Sequence, residues 1–120
     1  MERIDFPKRG EIYLVSLEPI VGSETGKTRP ALIISNNHNN QFADTVTLIP
    51  LTSRVGKVYP FEVYLSKKES GLPKDSKIKC NQIRTVDKRR LIRFLSSLSV
   101  ERLREVEKAL FIHLGVDFPI

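Results

Sequence analysis

Cysteine, histidine, methionine and tryptophan are nearly missing from this chain of 120 residues, which has one Cys, one Met, two His and no Trp. A single cysteine, Cys80, makes neither an intrachain disulfide nor a Cys-rich zinc site, and it fits a reducing, cytoplasmic compartment. The two histidines stand in unlike contexts: His38 in an asparagine-rich stretch and His113 near the end of an expected helix. Acid–base chemistry by a histidine pair therefore has no local footing, and no serine–histidine–aspartate signature occurs. No run approaches the roughly 18 apolar residues that cross a bilayer, so no membrane partner is expected. The first residues, Met1 to Asp5, lack the apolar core of a signal peptide. Acidic residues are also in deficit, 14 against 20 basic ones, for a net charge of +6. Glu18, Glu24, Asp44, Glu62, Glu69, Asp75 and Asp87 are scattered rather than set at short helical spacing, which argues against a two-metal centre. No metal and no cofactor are expected. The basic surplus favours an anionic partner, nucleic acid or an acidic protein, or it marks a basic protein with neither.

The length corresponds to one domain, residues 1–120, large enough to bury a core without disulfides or zinc. Strands are expected at 10–17, 30–35, 45–51, 61–65 and 76–84, with a short sixth within 91–98. Pro50 places the third of these at a sheet edge or on a bulge. Between them lie a long loop rich in turn formers (18–28), a turn or short irregular helix at Asn36–Asn40, a basic loop from Thr52 to Tyr59, and a second basic loop around Gly71-Leu72-Pro73. Ser99 is a good helix N-cap, with Glu101 in the first turn and Gly115 as a stop. Val100, Leu103, Val106, Leu110 and Leu114 recur at helical spacing, with Ala109 and Phe111 widening the stripe, as core or dimer packing requires. Short strands followed by one helix predict a mainly β (α+β) fold, a small curled sheet or barrel carrying a C-terminal α-helix.

Three segments carry candidate chemistry. Gly22-Ser23-Glu24-Thr25-Gly26-Lys27-Thr28 looks like a phosphate loop but is not one: three residues, not four, separate its glycines, and Arg29-Pro30 blocks the helix that would follow. Pro30 biases Arg29 toward an extended backbone at the mouth of an apolar strand, where a guanidinium that matches phosphate oxygens is held at a rigid edge. The same arginine could equally be the structural ion-pair partner of Glu24. Thr52-Ser53-Arg54 places two hydroxyls and a cation just after a strand, either for a phosphate or attacking hydroxyl or simply as turn caps. In Lys77-Ile78-Lys79-Cys80-Asn81-Gln82-Ile83-Arg84, the amides can read unpaired bases and the lysines can hold phosphates; a solvated strand face is the alternative.

Taken together these residues resemble the MazF/PemK family of toxin endoribonucleases. The resemblance is carried by Arg9-Gly10-Glu11-Ile12-Tyr13, Pro19-Ile20-Val21-Gly22-Ser23-Glu24, Arg29-Pro30, Leu51-Thr52, Asp75-Ser76, Gln82-Ile83-Arg84-Thr85-Val86-Asp87 and the final amphipathic helix, in that order. It implies a small SH3-like β-barrel that forms a homodimer, with single-stranded RNA lying across the dimer. It implies metal-independent, sequence-specific cleavage of mRNA by attack of a ribose 2′-hydroxyl, leaving 2′,3′-cyclic phosphate and 5′-hydroxyl ends. It also implies an acidic, partly disordered antitoxin as partner. On the matching positions, Arg29 would stabilise charge on the phosphorane and serve in proton transfer, and Thr52 would donate a hydrogen bond to the phosphate. A guanidinium, with a pKa above about 12, suits the first of these roles better than proton donation. Glu24 would order the loop or contact a base, and Ser76 and Gln82 match base-contacting positions. Asn81, where an acidic residue can occur, and Ser53 after the threonine depart from some relatives and bear, with Arg84, on which RNA sequence is cut. Two other readings share the fold: a poison of the CcdB type that binds a topoisomerase, and a domain that holds RNA without cutting it.

Overall fold

A computed structural model describes residues 6–117, so the reading of Met1–Asp5 lies outside the described residues. Seven strands, β1 (Glu11–Ser16), β2 (Thr28–Ile33), β3 (Thr45–Thr52), β4 (Glu62–Leu65), β5 (Ser76–Lys79), β6 (Arg84–Asp87) and β7 (Leu91–Ser97), form an antiparallel sheet. Three helices, α1 (Asn37–Phe42), α2 (Lys67–Ser70) and α3 (Val100–Leu114), interrupt or follow them. The order is β4-β5-β3-β2-β1-β7, with β6 also on β3. β4 and β7 end the sheet and do not pair, so it is a curled sheet rather than a closed barrel. Two register shifts in the β1–β7 ladder add to its curl.

The expected strand at 76–84 is instead two strands separated by a 3-10 turn at Cys80–Gln82. Its cause lies in β3, which both pieces flank. Leu51 is opposite Ile78 and Leu48 is opposite Arg84, three residues along β3 against six along the partner. The turn takes up the difference of three. Pro50 lies between these two ladders, and β3 is central rather than an edge. Thr47 O accepts from Ile34 N on the β2 side. The two-residue alternation therefore turns the nitrogen of Pro50 toward the other side, where β6 pairing has stopped at Leu48 and β5 pairing starts at Leu51. A residue without an N–H fits there.

β2 and β3 are buried on both faces, which is why they read as unbroken apolar runs rather than as alternation. Leu32, Ile49 and Leu51 pack into one cluster with Ile12, Ile78, Cys80 and the Val106, Ala109 and Leu110 face of α3. Ala31, Ile33, Val46 and Leu48 join Val15, Leu17 and Val86 in a second, on the opposite side of the strands. Full burial of each large aliphatic contributes about 1.5–3 kcal/mol. Within the helical stripe, Val100 and Leu114 are exposed while its middle is buried. Ser99 caps α3 by accepting from Arg102 N, and Gly115 closes it at φ 73°. α2, absent from the sequence expectations, has a capping box in which Ser66 and Glu69 serve each other's backbone N–H. The asparagine-rich stretch forms α1, capped by Asn36.

Candidate active site

Arg29 lies inside β2, paired with Val15 of β1, because the strand opens at Thr28, two residues earlier than expected. On the other side Ala31 faces Pro50 of β3. The pairing with β3 ends at that step, two residues short of Arg29 and Thr52. Thr52 in turn faces Lys77 of β5.

Arg29 and Thr52 form, with Lys27, the wall between two hollows. The larger, about 700 Å³, is lined also by Leu14, Ser53, Lys74, Ser76, Arg93 and Leu95. It collects four cations (Lys27, Arg29, Lys74 and Arg93) and no carboxylate, a setting for an anion. The smaller, about 240 Å³, lies under the loop and is lined by Glu18, Ser23, Glu24, Thr25, Gly26 and Lys79 among others.

The groups in the wall are held by backbone contacts that leave their outward chemistry available. Arg29 Nε donates to Gly26 O at 2.7 Å, and among the described residues its two terminal amino groups have no partner. Thr52 Oγ1 accepts from Arg54 N at 3.2 Å, so the hydroxyl proton remains to be donated elsewhere. Arg29 and Glu24 form no ion pair among the described residues. Glu24 closes a turn instead, Oε1 accepting from Val21 N at 2.7 Å.

The loop between β1 and β2 is fastened at several points. Glu18 Oε1 accepts from Lys27 N at 2.6 Å, and Lys27 has φ 65°. A Cβ on Gly26 would come within 2.5 Å of Ile20 Cγ2, so the loop cannot pack this closely with a larger residue there. Gln82 Oε1 accepts from Thr25 N at 3.1 Å. Arg84 donates to Leu17 O at 3.3 Å, and Arg90 donates to Ser16 O and Glu18 O. These arginines hold the carbonyls from which the loop springs.

The structure therefore gathers Arg29, Thr52, Ser53 and Ser76 around one hollow, with Glu24 beside the other. Ser76 is buried and its hydroxyl donates to Lys74 O. Gln82 reaches the site through Thr25, whereas Asn81 and Arg84 line neither hollow. Of the two lysines expected to hold phosphates, Lys79 lines the smaller hollow. Lys77 does not serve that way: it is buried, donating to Glu62 Oε1 at 2.9 Å and Lys57 O at 2.8 Å. Lys74 and Arg93 were legible only as surface charge. It takes the fold to bring β7 and the 71–74 turn against β2.

Neighbouring ionisable groups are structural. Asp75 accepts from Lys67 N at 2.8 Å, and this bond, with one from the Tyr64 hydroxyl, holds its carboxyl below the usual range. Burial, helped by the nearby Glu62 charge, pushes the Cys80 thiol up to about 12. No three His, Cys, Asp or Glu converge among the described residues as a metal cage would require, and no helix there is long and apolar enough to cross a membrane.

Residues 8–114 match the model of the PemK-like, MazF-like toxins of type II toxin–antitoxin systems. The chain is 40% identical over 114 residues to endoribonuclease MazF9 of Mycobacterium tuberculosis, covering 91% of this chain and 97% of that one. Among solved structures it is similar to MazF of Deinococcus radiodurans (TM-score 0.82, 31% identity, 94% of this chain and 100% of that one). It is also similar to a mycobacterial endoribonuclease solved with its cognate antitoxin (TM-score 0.77, 26% identity, 94% of this chain and 99% of that one). The match spans both hollows and the strands that frame them, and the chain belongs to the PemK/MazF family of toxins of type II toxin–antitoxin systems.

Proposed function

We propose that this chain is an endoribonuclease toxin that cuts single-stranded RNA, mRNA in the cell, at the wall formed by Arg29 and Thr52. The observation that carries this reading is that both residues stand in the wall shared by the two hollows. A guanidinium anchored only through Nε and a hydroxyl with a free proton face two adjoining hollows, the larger of which holds four cations and no carboxylate. A phosphodiester seated there receives two charge-assisted N–H donors from Arg29 and one O–H donor from Thr52. Attack by the neighbouring ribose 2′-hydroxyl puts negative charge on the nonbridging oxygens, and these donors bind that charge more tightly than the ground state. One such donor is worth about 10²–10³ in rate. The 2′-hydroxyl gives up its proton to solvent and its oxygen bonds phosphorus as the P–O5′ bond breaks, and the 5′-oxygen takes a proton from solvent, giving a 2′,3′-cyclic phosphate and a 5′-hydroxyl. None of these groups needs a metal ion to act.

The loop over the smaller hollow serves as a cover, with Glu24 shaping its turn. Ser53 and Ser76 at the larger hollow, and Asn81, Gln82 and Arg84 beyond it, bear on which sequence is cut. The whole chain acts as one domain in the cytoplasm, as a homodimer, with an acidic antitoxin as its inhibitor. The half-exposed Ile92 and Phe94 on the end strand β7 offer a second copy an apolar face.

The test is cleavage of a long mixed RNA in excess EDTA, with the fragment ends sequenced and their chemistry determined. Cuts at one short sequence leaving cyclic phosphate and 5′-hydroxyl ends are expected. Activity only with added metal, or 5′-phosphate ends, would contradict the mechanism. Sedimentation at micromolar concentration tests the dimer, and a persistent monomer would refute it.

A further inference from the structure

The segment between β3 and β4 follows Thr52 directly and carries Arg54, Lys57, Tyr59 and Phe61. Two features set it apart from an ordinary surface loop. First, the rings of Tyr59 and Phe61 lie parallel, 4° apart with centroids at 5.4 Å, and Tyr59 is 43% exposed. Lys57 Nζ sits 5.0 Å from the Tyr59 ring centroid. Second, an ion pair buried beneath fixes the loop. Lys77 Nζ bonds Glu62 Oε1 at 2.9 Å and Lys57 O at 2.8 Å, and the same Glu62 oxygen accepts from Tyr59 N at 3.1 Å. Both side chains of the pair are nearly inaccessible, 9% and 3% exposed. Burying two charges is costly, and here the charges hold the backbone just before and at Tyr59, whose exposed ring is backed by Phe61.

Position gives that rigidity a purpose. Lys77 faces Thr52 across β3 and β5, and its ammonium lies 5.8 Å from the Tyr59 ring centroid. The Lys77 side chain thus spans from the strand position facing Thr52 to the Tyr59 ring, so one residue links the aromatic pair to the wall. A flat, preformed aromatic surface beside cations is the arrangement that takes an unpaired base on its face and the flanking phosphate on its charge.

We propose that Tyr59, backed by Phe61 and flanked by Lys57, is a stacking platform for one unpaired base of the RNA strand, next to the phosphate held at Arg29 and Thr52. This rests on the RNA-cleavage reading above. The platform binds any base by its π face, so it contributes grip and register on the strand more than sequence choice.

The experiment uses three probes with the full chain at fixed salt. These are a 2′-O-methyl RNA strand, which has no attacking hydroxyl, an abasic strand of the same length and charge, and cleavable RNA in EDTA. Wild type should bind the base-bearing strand more tightly than the abasic one. Tyr59→Ala should weaken the first by on the order of tenfold and leave the second unchanged; Tyr59→Phe should behave as wild type. Because the chain has no tryptophan, Tyr59→Trp supplies a reporter, and its fluorescence should be quenched by the base-bearing strand. A Phe42→Trp control on α1 should not respond. Equal binding of both strands by wild type, equal losses on both strands with Tyr59→Ala, or no loss at all, overturns the platform. So does quenching by poly-glutamate with none by RNA, which would put a protein segment there instead. Cleavage by wild type alongside an indifferent Tyr59→Ala removes the platform and leaves the endoribonuclease standing. Base-dependent binding through Tyr59 without any cleavage removes the endoribonuclease and leaves the platform.

Discussion

Replacing Lys77 by methionine separates what the buried pair does for stability from what it does for RNA. The ammonium makes two bonds, to Glu62 Oε1 and to Lys57 O. Lys77→Met keeps much of the side-chain volume but leaves the Glu62 carboxylate, 3% exposed, with only Lys79 Nζ at 4.0 Å and the Tyr59 N–H for company among the described residues. Removing one partner of a buried pair costs about 3–5 kcal/mol. Lys79 offsets part of it, so the lower end, about 3 kcal/mol, is expected, or roughly 10–15 °C in Tm for a domain of this size. The fold should survive, because such domains have about 5–15 kcal/mol in hand. Glu62→Leu combined with Lys77→Met should recover most of that loss, since an apolar pair of similar size carries no desolvation penalty. RNA binding should not recover, because neither residue of the double variant can hold Lys57 O or Tyr59 N. Urea unfolding followed by circular dichroism gives the stabilities, and the 2′-O-methyl strand gives the affinities. A single variant within about 1 kcal/mol of wild type, or a double variant that binds RNA normally, refutes the assignment.

Arg29→Ala and Thr52→Ala should each lower kcat by about 10²-fold or more with little change in unfolding midpoint. Arg29→Lys should fare hardly better than Arg29→Ala, since lysine lacks both the fork and the Nε that bonds Gly26 O; near-wild-type cleavage by any of the three removes the role given to that residue. Gly26→Ala forces Ile20 and the loop aside and should lower kcat through a displaced Arg29 more than it lowers Tm, as paired kinetics and melts would reveal. Cys80 should resist thiol reagents at pH 8 in the native chain and react once unfolded. Its folded pKa is raised to about 12, so its share of the stability is present below the ordinary thiol range and lost as pH rises toward 12. Fast native labelling would contradict that burial.

Local signals in the sequence were enough for the elements whose causes are local. The Ser99 cap, the Gly115 stop and the apolar runs at 30–35 and 45–51 mark α3, β2 and β3 within a residue or two. The capping box of Ser66 and Glu69 is an equally local signal, yet α2, which it marks, was not among the expected elements. The break at Cys80–Gln82 was not. No glycine or proline stands there, and the turn exists because β5 and β6 must meet the same strand three residues out of step. Lys77 and Lys79 are two residues apart and both basic, so sequence treats them alike. One becomes the buried partner of Glu62, while the other faces a hollow. Both approach the Glu62 carboxylate across the β4–β5 pair, Lys77 at 2.9 Å and Lys79 at 4.0 Å, and what separates them is the second bond that Lys77 makes to Lys57 O.

The same limit applies to the candidate site and explains its form. Arg29-Pro30 and Leu51-Thr52 could be seen as separate motifs, each with a bland alternative: an ion pair with Glu24 for the first, a turn cap for the second. In the structure the two side chains share the wall between the hollows, while Glu24 bonds Val21 N and the Thr52 oxygen accepts a turn N–H without surrendering its own proton. Under the proposed mechanism Thr52 is both turn cap and donor, the cap leaving its hydroxyl proton for the phosphate. A Thr52→Ser variant puts this to the test. It retains the hydroxyl, and with it the bond from Arg54 N, but loses the methyl that restricts χ1. It should keep most of the fold's stability and a larger share of activity than Thr52→Ala. Equal activity in the two variants would mean that the hydroxyl contributes only as a cap.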